Sequence, residues 1–124
     1  CENFLWDRPD LDDTIARLQA FEKAGADVLY APGLRDLDSI RAVCAAVTKP
    51  VNVVMGLPGA TFGLGELAQA GVRRVSVGSA LARVAFGAFV DAAREMRSQG
   101  SFGFAQKAIG FAELEGFFTG KTKA

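Results

Sequence analysis

Histidine is absent from the chain. Its absence excludes a Ser-His-Asp or Cys-His triad and any His-ligated zinc built from these residues. Chemistry therefore falls to carboxylates, arginines, lysines, hydroxyls or backbone amides. Only two cysteines occur, Cys1 and Cys44, far apart and without metal-like spacing. They are expected as reduced thiols of a cytoplasmic protein. No run of ~18 consecutive apolar residues is present, so no membrane span is expected. The start, Cys1-Glu2-Asn3, has neither the basic residues nor the apolar stretch of a signal peptide. Charge excess is lacking too: 14 basic and 14 acidic residues are interspersed, without a stripe that would suit nucleic acid. The first residue is not Met, and the chain is expected to be an excised or incomplete piece of a longer one.

What is present is a hydrophobic half, enough for a core in one domain of 124 residues. The stretch from Phe21 to Gly33 organises the rest. A helix ends on Ala24-Gly25-Ala26-Asp27, a short strand Val28-Leu29-Tyr30 follows, a Pro32-Gly33 turn stops it, and a new helix begins at Asp36. Asp10 is the expected N-cap of the first helix, with Asp12 and Asp13 in its first turn, where negative charge suits the helix dipole. Leu11, Ile15, Leu18 and Phe21 mark its apolar face. Leu37, Ile40, Val43, Cys44 and Val47 mark that of the second. Val51-Asn52-Val53-Val54-Met55 is the next strand, and Thr61 is the expected cap of a shorter helix through Leu64, Leu67 and Ala68. Arg73 to Gly78 forms the last strand, and Ser79 opens a long helix that Gly100 closes.

The strand centres Val28, Val51 and Val75 lie 23 and 24 residues apart. With Cys1–Trp6 read as the exit of an earlier strand, about four βα units follow one another. Such alternation implies parallel pairing through right-handed crossovers. The expected fold class is α/β: the C-terminal half of a (β/α)8 barrel, strands five to eight, over residues 1–100. A small open doubly wound sheet is the alternative. Against it, no Gly-x-Gly-x-x-Gly loop follows a strand, and both outer strands would be apolar edges. Residues 101–124 form an aromatic tail with Phe102, Phe104, Phe111, Phe117 and Phe118. These rings need a cover, either the same subunit or a neighbour.

In a barrel, the loops at the carboxyl ends of the strands carry the site. Glu2 is the one carboxylate at such a position. Tyr30 is either a core residue with a bonded hydroxyl or a ligand contact. Asn52 sits at the opposite end of its strand and suits hydrogen bonding at the barrel bottom. Gly78-Ser79, opening a helix opposite Gly56, has the physics of an anion site, with Arg83 one turn further on, but also of an ordinary strand-to-helix joint. Asp10, Asp12 and Asp13 read as caps rather than metal ligands, and Glu113 and Glu115 as a solvated face.

The ordered series Cys1-Glu2-Asn3-Phe4-Leu5, Gly25-Ala26-Asp27-Val28-Leu29-Tyr30-Ala31-Pro32-Gly33, Lys49-Pro50-Val51-Asn52-Val53 and Arg74-Val75-Ser76-Val77-Gly78-Ser79-Ala80-Leu81-Ala82-Arg83 resembles the C-terminal half of the isocitrate lyase/phosphoenolpyruvate mutase superfamily. The resemblance implies a (β/α)8 barrel that binds 2-oxo acids or their enolates on Mg2+ and makes or breaks C–C or P–C bonds. It also implies an eighth helix exchanged between subunits, hence a homo-oligomer, dimer or tetramer. That implication turns the aromatic tail toward a neighbour. The metal-holding acids and mobile loop of the family lie on its first four strands, which nothing here matches, so the Mg2+ ligands are expected outside this chain and the piece alone is expected to be inactive. Glu2 matches the acid at the end of the fifth strand, and Cys1 stands at the family's Thr. The substrate-binding arginine of the family would immediately precede Cys1. Pro32 stands where several members place Glu or His, and Val54 where some carry Asn, which argues against a true isocitrate or methylisocitrate lyase. Glu2, Tyr30, Pro32, Gly56, Gly78 and Ser79 are the expected lining of the substrate pocket. The remaining alternatives are a phosphate-binding barrel piece centred on Gly78-Ser79 and a non-catalytic scaffold that pairs with itself.

Overall fold

The computed structural model describes residues 1–59 and 61–120. Its contacts divide the chain into two compact units, residues 1–81 and 82–124, so most of the long helix groups with the aromatic tail rather than with the sheet.

In the first unit, three strands form a parallel sheet in the order β1 (Leu29–Tyr30), β2 (Val51–Val54), β3 (Arg74–Ser76). Leu29 pairs with Val51, and Val53 with Val75. Helices α1 (Leu11–Lys23), α2 (Leu37–Ala46) and α3 (Leu64–Gln69) alternate with the strands. Local chemistry fixes the helix starts. The Asp10 carboxylate accepts from the Asp13 amide at 2.9 Å, and Asp36 accepts from the Ser39 amide at 2.7 Å, each satisfying a donor that the first turn leaves open. Gly25, with φ of 98°, ends α1 in the left-handed region open to glycine.

Strand pairing in register puts alternate residues on opposite faces. Leu29, Val51 and Val53 are buried with Leu18, Ile40, Val43 and Leu67 of the helices, which makes the single core of this unit. The other face carries Val28, Tyr30, Asn52, Val54, Arg74 and Ser76. Val28 is 44% and Tyr30 37% exposed on that face. Within this unit α1, α2 and α3 pack on the face that carries Leu29, Val51 and Val53.

Two expectations change. Residues Asn3–Trp6 form a 3-10 turn, not the end of a strand: the Leu5 and Trp6 amides both donate to the Glu2 carbonyl, so local bonds satisfy a segment too short for a ladder. One trace of sheet geometry persists, since the Cys1 amino group donates to the Tyr30 carbonyl at 2.7 Å. Helix α3 starts after Gly63, not Thr61, because the Glu66 carboxylate reaches back to the Gly63 amide at 2.9 Å. Phe62 then packs on the core, and Leu64 is left 73% exposed.

The second unit holds most of α4 (Ala80–Gln99), a 3-10 turn (Gly103–Lys107) and α5 (Phe111–Thr119). Gly100, at φ of 64°, ends α4 as the sequence predicts. None of these three elements contains a buried residue. The Glu95 carboxylate ties α4 to the following loop, accepting from the Ser101 hydroxyl and the Gly103 and Phe104 amides.

Candidate functional site at the strand ends

The open face of the sheet carries a polar row across its middle. Asn52, 2% exposed, accepts from Arg74 Nη1 at 2.9 Å and donates to Ser76 Oγ at 3.1 Å. A buried amide on a central strand needs such partners, and these bonds agree with the structural role expected of Asn52. Tyr30 lies on the same face in register with Asn52. Its phenol is pushed above its ordinary value, first by partial burial and then by the negative charge of Glu2, with Arg74 opposing. Among the described residues its hydroxyl makes no hydrogen bond.

Glu2 is exposed, and its carboxylate accepts from Trp6 Nε1 at 3.1 Å, so its orientation is set from within its own turn. Asn3 behind it donates to Asp13 at 2.7 Å and to Thr14 at 3.2 Å, anchoring that turn to α1. Asp13 also accepts from Arg17, and these bonds, Arg17 foremost, hold its carboxyl below the ordinary carboxylate value. Asp10 is thus spent on capping and Asp13 on pairing, while Asp12 stands exposed in the first helical turn.

Pro32 is buried, so the position where the family resemblance implies Glu or His is withdrawn from the surface. Gly33 follows with φ of 97°, and a Cβ there would stand 2.8 Å from Phe4 Cβ. The close approach of two strand-end loops therefore requires glycine. Gly56 is placed the same way: a Cβ would meet Ala80 Cβ at 2.7 Å and the Val77 carbonyl at 2.9 Å. This contact brings Gly56 against the Gly78-Ser79-Ala80 joint. Ser79 is exposed, and the Ala80 amide is spent on the Val77 carbonyl at 3.0 Å, one donor fewer for an anion. The expected residues thus form two groups, Glu2 with Tyr30 and Gly56 with Gly78 and Ser79.

Between the loops lies a cavity of about 190 Å3 lined by Leu5, Val54, Leu57, Pro58 and Arg35. It is smaller than the ~300 Å3 or more of drug-sized pockets, a scale that suits a small acid better than a nucleotide. Arg35 is the functional candidate that sequence reasoning passes over. Its signal was available: it is the one basic residue in the loop from Ala31 to Asp36.

No group of three or more Cys, Asp or Glu that could hold a metal ion exists among the described residues. The residues present do not fit a Mg2+ site. Nor, among the described residues, is any helix long and apolar enough to cross a membrane.

The family model for phosphoenolpyruvate phosphomutase matches residues 1–97. Among curated proteins, an oxaloacetate decarboxylase of Bradyrhizobium diazoefficiens is 36% identical over 84% of this chain and 35% of its own length. One from Paraburkholderia xenovorans is 34% identical over 71% of the chain and 29% of its length. Among solved structures, a protein of Burkholderia cenocepacia J2315 described as a lyase/mutase superposes with a TM-score of 0.91 at 60% identity, covering 95% of this chain and 42% of that one. A 2,3-dimethylmalate lyase matches at a TM-score of 0.63 and 27% identity, over 74% of this chain and 33% of the other. The chain spans about a third or less of the curated relatives' length. With an α/β fold of parallel strands and helices that matches these neighbours, the chain belongs to the phosphoenolpyruvate phosphomutase family, within the phosphoenolpyruvate mutase/isocitrate lyase superfamily.

Proposed function

We propose that this chain forms strands six to eight of a (β/α)8 barrel, preceded by the loop that leaves strand five, in a Mg2+-dependent lyase or mutase acting on 2-oxo acids or their enolates. The observation that carries the reading is the sidedness of the sheet within residues 1–81. Helices cover Leu29, Val51 and Val53, while Tyr30, Asn52 and Arg74 face away from them. A doubly wound sheet has helices on both faces, whereas barrel strands turn their second face to the other strands. On this reading both edge strands are completed by residues outside the chain.

The reading assigns Mg2+ to carboxylates outside these 124 residues. What this chain supplies is the wall of the pocket. Glu2 is an orienting carboxylate steadied by Trp6. Tyr30 presents a protonated phenol, since its environment raises its pKa. Gly56 and Gly78 bring two loops together behind the cavity. Pro32 contributes no proton transfer, so a general acid or base, where the reaction requires one, comes from elsewhere. Residues 82–120 form the interface of a homo-oligomer by exchange of the helix with a neighbour, which covers phenylalanines that this chain leaves exposed.

The test is turnover. Full-length protein is expected to release pyruvate from oxaloacetate or a related 2-oxo or 2-hydroxy acid, to lose the activity to a chelator and to regain it with Mg2+. The 124 residues alone are expected to show none. An arginine immediately before Cys1 is expected in the longer chain. Turnover that survives chelation, or another residue at that place, overturns the reading.

A further inference from the structure

The loop after β1 ends in a cation, Arg35. Arg35 makes no hydrogen bond or ion pair among the described residues, although the neighbouring Asp36 is fully engaged with the Ser39 amide and hydroxyl at 2.7 and 2.8 Å. Three other arginines pair with an aspartate three or four positions away on their own helices. Arg35 instead lines the cavity with Leu5, Val54, Leu57 and Pro58, and also a second hollow of about 250 Å3 that includes Phe4, Asp7 and Asp36. A guanidinium at the rim of an apolar cavity offers paired donors matched to a carboxylate or phosphonate. Arg35 itself is exposed, so a ligand seated against the apolar walls of the cavity can reach its guanidinium.

The geometry points to Arg35 as a specificity-determining residue: it binds the second anionic group of the substrate, a distal carboxylate or phosphonate, and so selects dianionic over monoanionic acids. The inference rests on the lyase/mutase reading above. It accounts for two features together. The Pro32 position is buried and has no polar group to offer, and the polar function of that loop moves three residues on to Arg35. The rigid Gly33 turn, pressed against Phe4, fixes where Arg35 leaves the strand end.

The experiment compares ligands that differ only at the distal end, with full-length protein and saturating Mg2+. Malate, 2-hydroxybutyrate and 2-hydroxy-3-phosphonopropanoate are titrated calorimetrically into wild type, R35Q and R35K. Wild type is expected to bind one or both dianions about tenfold more tightly than 2-hydroxybutyrate, the scale of one charged hydrogen-bonded contact. R35Q is expected to bring the ratio to within about threefold while leaving 2-hydroxybutyrate unchanged, and R35K to keep part of the preference. The dianion that loses more affinity identifies the distal group as carboxylate or phosphonate. An R35Q protein that keeps the full preference, or loses affinity for all three ligands alike, overturns the role of Arg35 and leaves the lyase/mutase reading intact. Wild type that binds none of them overturns both.

Discussion

The two units use similar amino acids and reach opposite results. Among the described residues of 1–81, eleven hydrophobic side chains are buried, with Leu18, Ile40 and Val43 at 0% exposure. In the helices that follow, Phe86 and Phe89 are 69% exposed, Phe118 84% and Phe111 94%. The first unit closes a core because strands and helices meet in two layers. The second presents apolar helix faces without a layer to receive them. Hydrophobic content alone thus says little about burial; topology decides whether a face finds its partner inside the chain. On the reading proposed above, these exposed rings are the surface that a neighbour covers.

The largest expected effect tests the closed core. Ile40→Ala should destabilise the sheet unit by about 2–5 kcal/mol, the range for deleting a large buried side chain, read from denaturant unfolding. Loss of less than about 1 kcal/mol would mean that the layer around Ile40 is as open as the second unit. Next comes the polar row on the open face. Asn52→Ala strips Arg74 and Ser76 of their partner and should cost about 1–3 kcal/mol. A neutral result would show that water reaches the row, and with it that nothing covers that face.

Phe111→Asp probes the other side of the contrast. Because Phe111 is 94% exposed, the substitution should change the stability of the monomeric chain by no more than about 0.5 kcal/mol. Its effect should be on assembly. The wild-type chain is expected to elute in gel filtration at a multiple of 13.1 kDa, and the variant to shift toward the monomer. A monomeric wild type would refute both helix exchange and self-pairing.

What the sequence made legible follows the range of the interactions. The caps at Asp10 and Asp36 and the helix ends at Gly25 and Gly100 are decided within four residues, and each stands where the pattern places it. The helix–strand alternation was equally plain, because turn signals bound each short strand. Errors enter where a competing local bond is invisible in the pattern. Thr61 is a better cap by type than Gly63, yet the Glu66 carboxylate decides the start by reaching the Gly63 amide. Cys1–Trp6 reads as strand by composition, but a strand exists only when its partner does. The site was the least legible part. Of the residues proposed for it, Glu2 and Gly78 announce themselves by position, whereas Arg35 is proposed only because separate loops converge around the cavity it lines.

The smallest expected effect concerns a device that the two units share. Glu22 near the end of α1 accepts from the Thr48 hydroxyl and from the Thr48 and Lys49 amides, tying the helix to the loop before β2. Glu95 does the same for the loop after α4. The Thr48 hydroxyl in one case, and the Ser101 hydroxyl in the other, is the main cause that lowers each carboxyl from its ordinary value of 4.5, with the loop amides adding to it. A depressed folded pKa means that the stabilisation is fully present above the ordinary value and is lost as pH falls through the lower folded one. Both carboxylates stand at the surface, so solvent screens each tie and the change in stability is small. The Thr48 and Lys49 amide resonances should therefore titrate together below pH 4.5, and those of Gly103 and Phe104 likewise, with E22Q and E95Q each abolishing only its own pair. An inflection at or above 4.5 at either place would mean that its loop is not held. If only the Glu95 pair failed, the contrast between the units would extend from their apolar faces to their polar ties.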